Sequence, residues 1–357
     1  MWKNELTRVL NISVPIIQAP MAGGPTSSSL VSAVSNAGGL GMIGAGYMSP
    51  SALKQQIQEV KKLTDKPFGV NLFVPTRYIV DDESLQKANS LLEPIRSDLG
   101  VEPPRQLPNY DRDMETFHRQ INVILEEKIS ICSSTFGIPS QELMEKLKKK
   151  SIMIIGTATS VQEAIMNEMA GMDAVVVQGV ESGGHRGTFL GDPEQSLIGL
   201  ISLIPQVADN IGIPIIAAGG IMDGRGVMAA KCLGAKCVQM GTAFLVCDES
   251  GANLLHKDAI MQSTEDKVVL TKSFSGKLAR GVNNHFIEVM KPFEDSFPEY
   301  PLQNELTNGI RKASKEAGNI ECMSLWAGQS PRLAKKQSVK ELIDNIKHEI
   351  EIFCNQD

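Results

Sequence analysis

The chain has 357 residues, 42% of them hydrophobic and 21% charged, the balance of a soluble globular protein. A net charge of −6 and 5% aromatic residues leave no basic or base-stacking footprint for nucleic acid. No run of about 18 apolar residues suggests a membrane span, and the opening MWKNELTRVL lacks the apolar run of a secretory signal. Six cysteines (Cys132, Cys232, Cys237, Cys247, Cys322, Cys354) are scattered without CxxC or CxxH spacing. They are expected to be reduced in a cytoplasmic protein and to hold no metal.

Ile16 to Ala19 reads as a short strand between Pro15 and Pro20, followed by the glycine-opened loop Met21 to Gly24. A helix over Ser27 to Ala37 stops at Gly38 and Gly39. Leu40 to Ile43 is a second buried strand. Ser49 then caps a helix with Pro50 in its first turn, and Leu53, Ile57, Val60 and Leu63 mark its buried face. Phe68 to Val74 is the third strand, with Asn71 inside it. Residues 75–113 carry five prolines and read as an insertion, helical near Glu83 to Ile95. A helix resumes over Met114 to Glu127. The fourth and fifth strands are Ile129 to Thr135 and Ile152 to Ile155, with a helix from Ser140 between them. Ser160 with Glu163 suggests a capping box for the next helix.

Ala174 to Gln178 is the sixth strand, a β-branched run buried on both faces. The loop GVESGGHRG follows, with Gly179, Gly183, Gly184 and Gly187 around His185. Glycine lets backbone approach a ligand closely, and His185 is the proton-active group there. Ser196 to Ala208 is apolar at helical spacing through Leu197, Leu200, Ile201 and Ile204. The seventh strand is Ile215 to Ala218, and Asp223 caps a helix to Leu233. Cys237 to Met240 is the eighth strand. From Glu249 the pattern turns to helices and irregular segments. Ser338 with Glu341 starts a final amphipathic helix, expected to pack on the barrel, with a homodimer contact as the alternative.

Eight strands alternating with helices over residues 16–240 imply an α/β fold, a TIM (β/α)8 barrel with right-handed crossovers. The expected division is a barrel over residues 10–248 with an insertion after strand three (75–113), and a helical C-terminal extension over 249–357. In this architecture the active site lies at the C-terminal ends of the strands. The unusual residues gather there: Met21 to Gly24, Asn71, Thr135, Gln178 to His185, Gly219, Gly220, Gly241 and Thr242. Glycine-bearing loops after strands seven and eight suit a phosphate, and the amides of Asn71 and Gln178 suit the edge of a flat heterocycle. Arg186 and Arg280 are either partners for an anion or structural arginines.

The segments IIQAPMAGG, GGLGMIGAG, FGVNLFVP, GVESGGHRG, IPIIAAGGIMDGRG and GAKCVQMGTAF occur in this order. Together they resemble the nitronate monooxygenase (2-nitropropane dioxygenase-like) flavoproteins. The likeness continues through FSGKLARGVNN, PLQNEL and WAGQSPRLA. It implies non-covalent FMN, with Asn71, Gln178, Gly183, Gly220, Gln239, Met240, Gly241 and Thr242 at flavin-binding positions. Met21 and Gly23 match the loop near the isoalloxazine, and His185 matches the active-site histidine. Some relatives carry a histidine after strand four, where this chain has Thr135. The implied reaction is oxidation of a small alkyl nitronate, propionate 3-nitronate among the candidates, with O2 to a carbonyl compound and nitrite. His185 would serve as base or as donor to the nitronate oxygens. The runner-up is an FMN-dependent NAD(P)H-linked reductase of the enoyl-acyl-carrier-protein or quinone type. A flavin-binding scaffold without turnover is a third reading.

Overall fold

The computed structural model describes residues 2–354. Eight parallel strands form the barrel: β1 (Ile16–Gln18), β2 (Gly41–Gly44), β3 (Phe68–Phe73), β4 (Ile131–Thr135), β5 (Met153–Ala158), β6 (Ala174–Gln178), β8 (Ile215–Ala218) and β9 (Cys237–Met240). The two-residue strand β7 (Gly184–His185) lies outside it, so the expected seventh and eighth strands are β8 and β9. The ladder runs β1-β9-β8-β6-β5-β4-β3-β2. It closes through a parallel bridge between Ile17 and Leu40. The expected TIM barrel is therefore present.

The strands read as unbroken apolar runs because both faces are buried. Alternate residues serve different layers. Ile17, Met42, Ile131, Ile155, Val176 and Ile216 point into the barrel, and Leu6 and Leu10, from the first helix and the residue that ends it, join this inner cluster. That helix, Glu5–Val9, has no counterpart in the sequence reading. Ile16, Val175, Val177, Ile215 and Val238 point outward against the helices.

The final helix, Val339–Cys354, lays Val339, Leu342, Ile343, Ile346 and Ile350 into that outer layer. Its start is a true capping box: Ser338 N donates to the Glu341 carboxylate at 2.8 Å, and Glu341 N donates to Ser338 Oγ at 3.2 Å. The helix after β7 begins at Leu200 rather than Ser196, after a 3-10 turn at Pro193–Ser196. Ile201, expected on the buried face, is 74% exposed.

Two expectations change above the barrel mouth. The insertion holds a helix over Asp82–Leu99 that runs through Pro94, and the next helix starts at Tyr110. Leu85, Ala88 and Leu92 of the inserted helix pack with Phe274, Phe286, Leu302 and Leu306. Buried Arg96 donates to the Leu306 carbonyl at 2.9 Å. The region after Glu249 is also not only helical. It contributes β10 (Val268–Thr271) and β11 (Ala279–Val282), and β11 pairs antiparallel with β7 through Ala279–His185 and Arg280–Gly184. His185 therefore sits on a strand at a sheet edge.

Among the described residues, no helix is long and apolar enough to cross a membrane. No group of three or more His, Cys, Asp or Glu among them is placed to hold a metal ion. Cys132, Cys232, Cys237, Cys247 and Cys322 form no disulfide among the described residues.

Candidate active site

A cavity of about 1210 Å³ opens at the C-terminal ends of the strands. That exceeds the roughly 300–1,000 Å³ of an ordinary small-ligand pocket, leaving room for a cofactor and a small substrate together. Of the sequence-predicted site residues, Met21, Gly23, Gln178, Gly183, His185, Gly220, Gln239, Gly241 and Thr242 line it. Asn71 and Met240 stand in the wall behind, 2% and 1% exposed. Asn71 Nδ2 donates to Ser133 Oγ at 2.9 Å and Thr135 Oγ1 at 3.1 Å, which fixes the ends of β3 and β4 against each other.

The cradle is tight where glycine is required. A Cβ on Gly183 would lie 2.5 Å from the Ala327 carbonyl carbon, a contact that only backbone movement could relieve. Gly220 has φ +66, a conformation that strains other residues. The segment Trp326 to Ser330 forms the opposite wall. Gly328 N donates to Thr242 Oγ1 at 2.9 Å, and Ser330 Oγ donates to the Gly220 carbonyl at 3.1 Å. The Gln239 amide has no hydrogen-bond partner within the described residues, so it is free for a ligand.

Gln178 is differently employed. Its Oε1 accepts from Gly187 N at 2.7 Å and its Nε2 donates to the His185 carbonyl at 3.1 Å. It clamps the His185 segment from below while still facing the cavity. Glu163 clamps the same segment from the side. Its carboxylate does not return to Ser160 as a capping box would require. It accepts from Thr159 N and Oγ1 at 2.6 and 2.7 Å, and from Phe189 N and Leu190 N at 2.7 and 2.9 Å.

Arg186 and Arg280 are structural. Arg186, fully buried, donates to the carbonyls of Gly179, Gln178 and Ser196 at 2.6, 3.1 and 2.8 Å. Arg280 donates to the Val180 and Val268 carbonyls at 3.0 and 3.3 Å. Neither lines the cavity.

His185 is held by one polar contact and three rings. Its Nε2 lies 2.8 Å from Ser275 Oγ. That hydroxyl donates to the Lys277 carbonyl at 3.0 Å, so its lone pair receives the proton of His185 Nε2–H. This assigns the Nε2–H tautomer from the hydrogen-bond network and leaves the lone pair on Nδ1. Trp326, Tyr300 and Phe136 surround the ring at 5.4, 5.9 and 6.0 Å between centroids. Burial pushes the imidazole down to about 3, and the positive charges of Lys277 and Arg311 act in the same direction. The resting ring is therefore neutral.

Phe136, whose φ of 71 is unusual for a non-glycine residue, packs on Phe73 at 4.6 Å. Lys277 Nζ lies 4.9 Å from the Phe136 ring centre and donates to the Thr188 carbonyl at 2.9 Å. Ser275, Tyr300, Arg311 and Trp326 were not found as site residues from the sequence. The one available signal was the spacing of Asn308, Arg311, Lys312 and Lys315, a single face of a helix, and all four line the cavity.

A second buried imidazole, His256, is held down to about 4 by burial, against the opposing effect of its hydrogen bond to the Trp326 carbonyl. Both rings fall well below their ordinary 6.5. The unfolded chain therefore binds protons first as pH falls, and stability is lost from about pH 6.5 down to about 3. The denaturant midpoint should drop between pH 6.5 and 4.5, and a flat midpoint across that window would contradict the burial of these rings.

A closed (β/α)8 barrel with polar groups gathered over a deep cavity at its C-terminal mouth defines a barrel enzyme. The nitronate monooxygenase family profile matches residues 3–349. A probable nitronate monooxygenase of Staphylococcus haemolyticus is 51% identical over 353 residues, 98% of each chain. One from Staphylococcus aureus strain MSSA476 is 50% identical over 352 residues, again 98% of each. The structure of nitroalkane oxidase from Streptomyces ansochromogenes superposes with a TM-score of 0.92 at 36% identity, covering 98% of this chain and 99% of that one. FabK from Thermotoga maritima gives 0.79 at 31% identity, covering 100% and 98%. The chain belongs to the nitronate monooxygenase family and is an oxidoreductase.

Proposed function

We propose that this enzyme oxidises alkyl nitronates with O2 on bound FMN, giving a carbonyl compound and nitrite, with propionate 3-nitronate among its substrates. The observation that carries the reading is the pairing of a neutral His185 with a half-buried guanidinium, Arg311, in one cavity. A nitronate arrives already deprotonated, so a weakly basic imidazole suffices, and a fixed cation favours an anion over its neutral acid.

The residues fit the cofactor. The Gly183 and Gly220 backbone allows close approach, the Gln239 amide is free, and Met21, Gly23, Gly241 and Thr242 line the same cavity. Gln178 faces it as well, with Asn71 and Met240 supporting from behind. When bound, FMN would supply the electron transfer and oxygen chemistry that side chains lack. The protein's part is to orient the substrate between the aromatic box and the cradle and to exclude bulk water. It also keeps a proton acceptor, His185 Nδ1, near the reacting carbon.

The test is a turnover assay on FMN-loaded protein. Ethyl nitronate should drive oxygen uptake with release of nitrite. Absence of both with every nitronate offered, from the ethyl compound to propionate 3-nitronate, would overturn the reading.

A further inference from the structure

The substrate's negative charge needs a donor, and the expected candidates are unavailable. His185 Nε2–H is spent on Ser275, and Lys277, Arg186 and Arg280 do not line the cavity. Arg311 remains. It lies on the cavity face of the helix Asn308–Glu316. Its partners are neutral: Nη2 donates to Asn304 O and Oδ1 at 2.7 and 3.0 Å, and Nε to the Thr307 carbonyl at 3.4 Å. Nη1 has no partner within the described residues, and no carboxylate there forms an ion pair with Arg311. Tyr47 and Tyr300 line the same cavity and lie close enough to act electrostatically on Arg311. Glu305 acts on this half-buried guanidinium electrostatically without pairing with it, so donor capacity is left for a ligand.

Resting on the function proposed above, we propose that Arg311, with the Tyr47 and Tyr300 hydroxyls, is the specificity-determining group that binds the planar O–N–O anion of the nitronate and selects it over the neutral nitroalkane. A nitronate carries its charge on two coplanar oxygens, as a carboxylate does, and a guanidinium fork matches that shape. Lys312 and Lys315, on the same face and further along the helix, extend the cationic surface along the cavity wall.

The experiment compares wild type with Arg311→Met and Arg311→Lys, all loaded with FMN. Arg311→Met should raise KM for ethyl nitronate about 10- to 100-fold, the weight of a charge-assisted hydrogen bond, with kcat changed far less. Freshly dissolved nitroethane should be little affected, and Arg311→Lys should recover part of the loss. Calorimetric titration with propionate, a planar anion that does not react, should show at least tenfold weaker binding to Arg311→Met. Unchanged propionate affinity would overturn the assignment whatever the turnover, as would undiminished preference for nitronate over nitroethane. If no variant oxidises a nitronate but propionate binding still falls, the functional reading fails while the anion site stands.

Discussion

Replacement of His185 by alanine should lower turnover of neutral nitroethane by about 100-fold or more, the usual scale of a lost general base. Ethyl nitronate should lose less than about tenfold, and bound flavin should be retained. The two substrates differ by one proton. Nitroethane must surrender it in the site, and the Nδ1 lone pair of His185 is the acceptor that the Ser275 hydrogen bond leaves free. The imidazole is a poor base at rest because burial holds it down. It gains basicity as negative charge develops beside it. Steady-state rates on both substrates, with flavin content read from absorbance, provide the check. Equal losses on the two would remove His185 from proton transfer, and unchanged rates would remove it from catalysis.

Glu163→Ala should cost about 3–5 kcal/mol of stability, the scale of stripping a buried charge from its partners. Its carboxylate is fully buried and satisfies four donors, two on Thr159 and the backbone amides of Phe189 and Leu190. Alanine leaves the backbone amides of Thr159, Phe189 and Leu190 unpaired, while the Thr159 hydroxyl keeps Thr188 Oγ1 at 2.9 Å. Glu163→Gln keeps the volume and should recover part of the loss, because one amide oxygen can still accept. Since Glu163 anchors the segment that follows His185, the surviving Ala protein should also lose activity beyond its loss of folded fraction. Urea denaturation monitored by tryptophan fluorescence decides the first point. A midpoint shift worth less than about 1 kcal/mol, no more than one ordinary hydrogen bond, would show that the four bonds are weaker than their geometry indicates.

The barrel was legible because its strands are short apolar runs broken by glycine and proline, a pattern that buried parallel strands impose. The ends of β1, β4, β6, β8 and β9 fell within two residues of expectation. The C-terminal half of β5 was missed because Gly156, Thr157 and Ala158 interrupt the apolar signal. The inserted helix was read too short, since Pro94 suggests a break that the surrounding packing overrides.

Most of the expected site residues proved to share one cavity because loops at strand ends converge there whatever their contents. What the sequence hid was the employment of each group. Nothing in GVESGGHRG distinguishes the carbonyl-bound Arg186 from a ligand-facing arginine, or shows Gln178 committed on both amide atoms. Ser275, Tyr300, Arg311 and Trp326 meet His185 from up to 141 residues away in sequence, and a two-residue strand such as β7 carries no periodicity to read. The partner that aligns it, β11, belongs to a stretch that the sequence pattern presented as irregular.

The most direct measurement is an anaerobic absorbance titration of the FMN-loaded protein, with ethyl nitronate in one cuvette and NADH or NADPH in another. Bleaching of the flavin by the nitronate alone, with no response to either nicotinamide, is the predicted result. Bleaching by a nicotinamide with indifference to the nitronate would contradict it and place the enzyme among the nicotinamide-linked reductases.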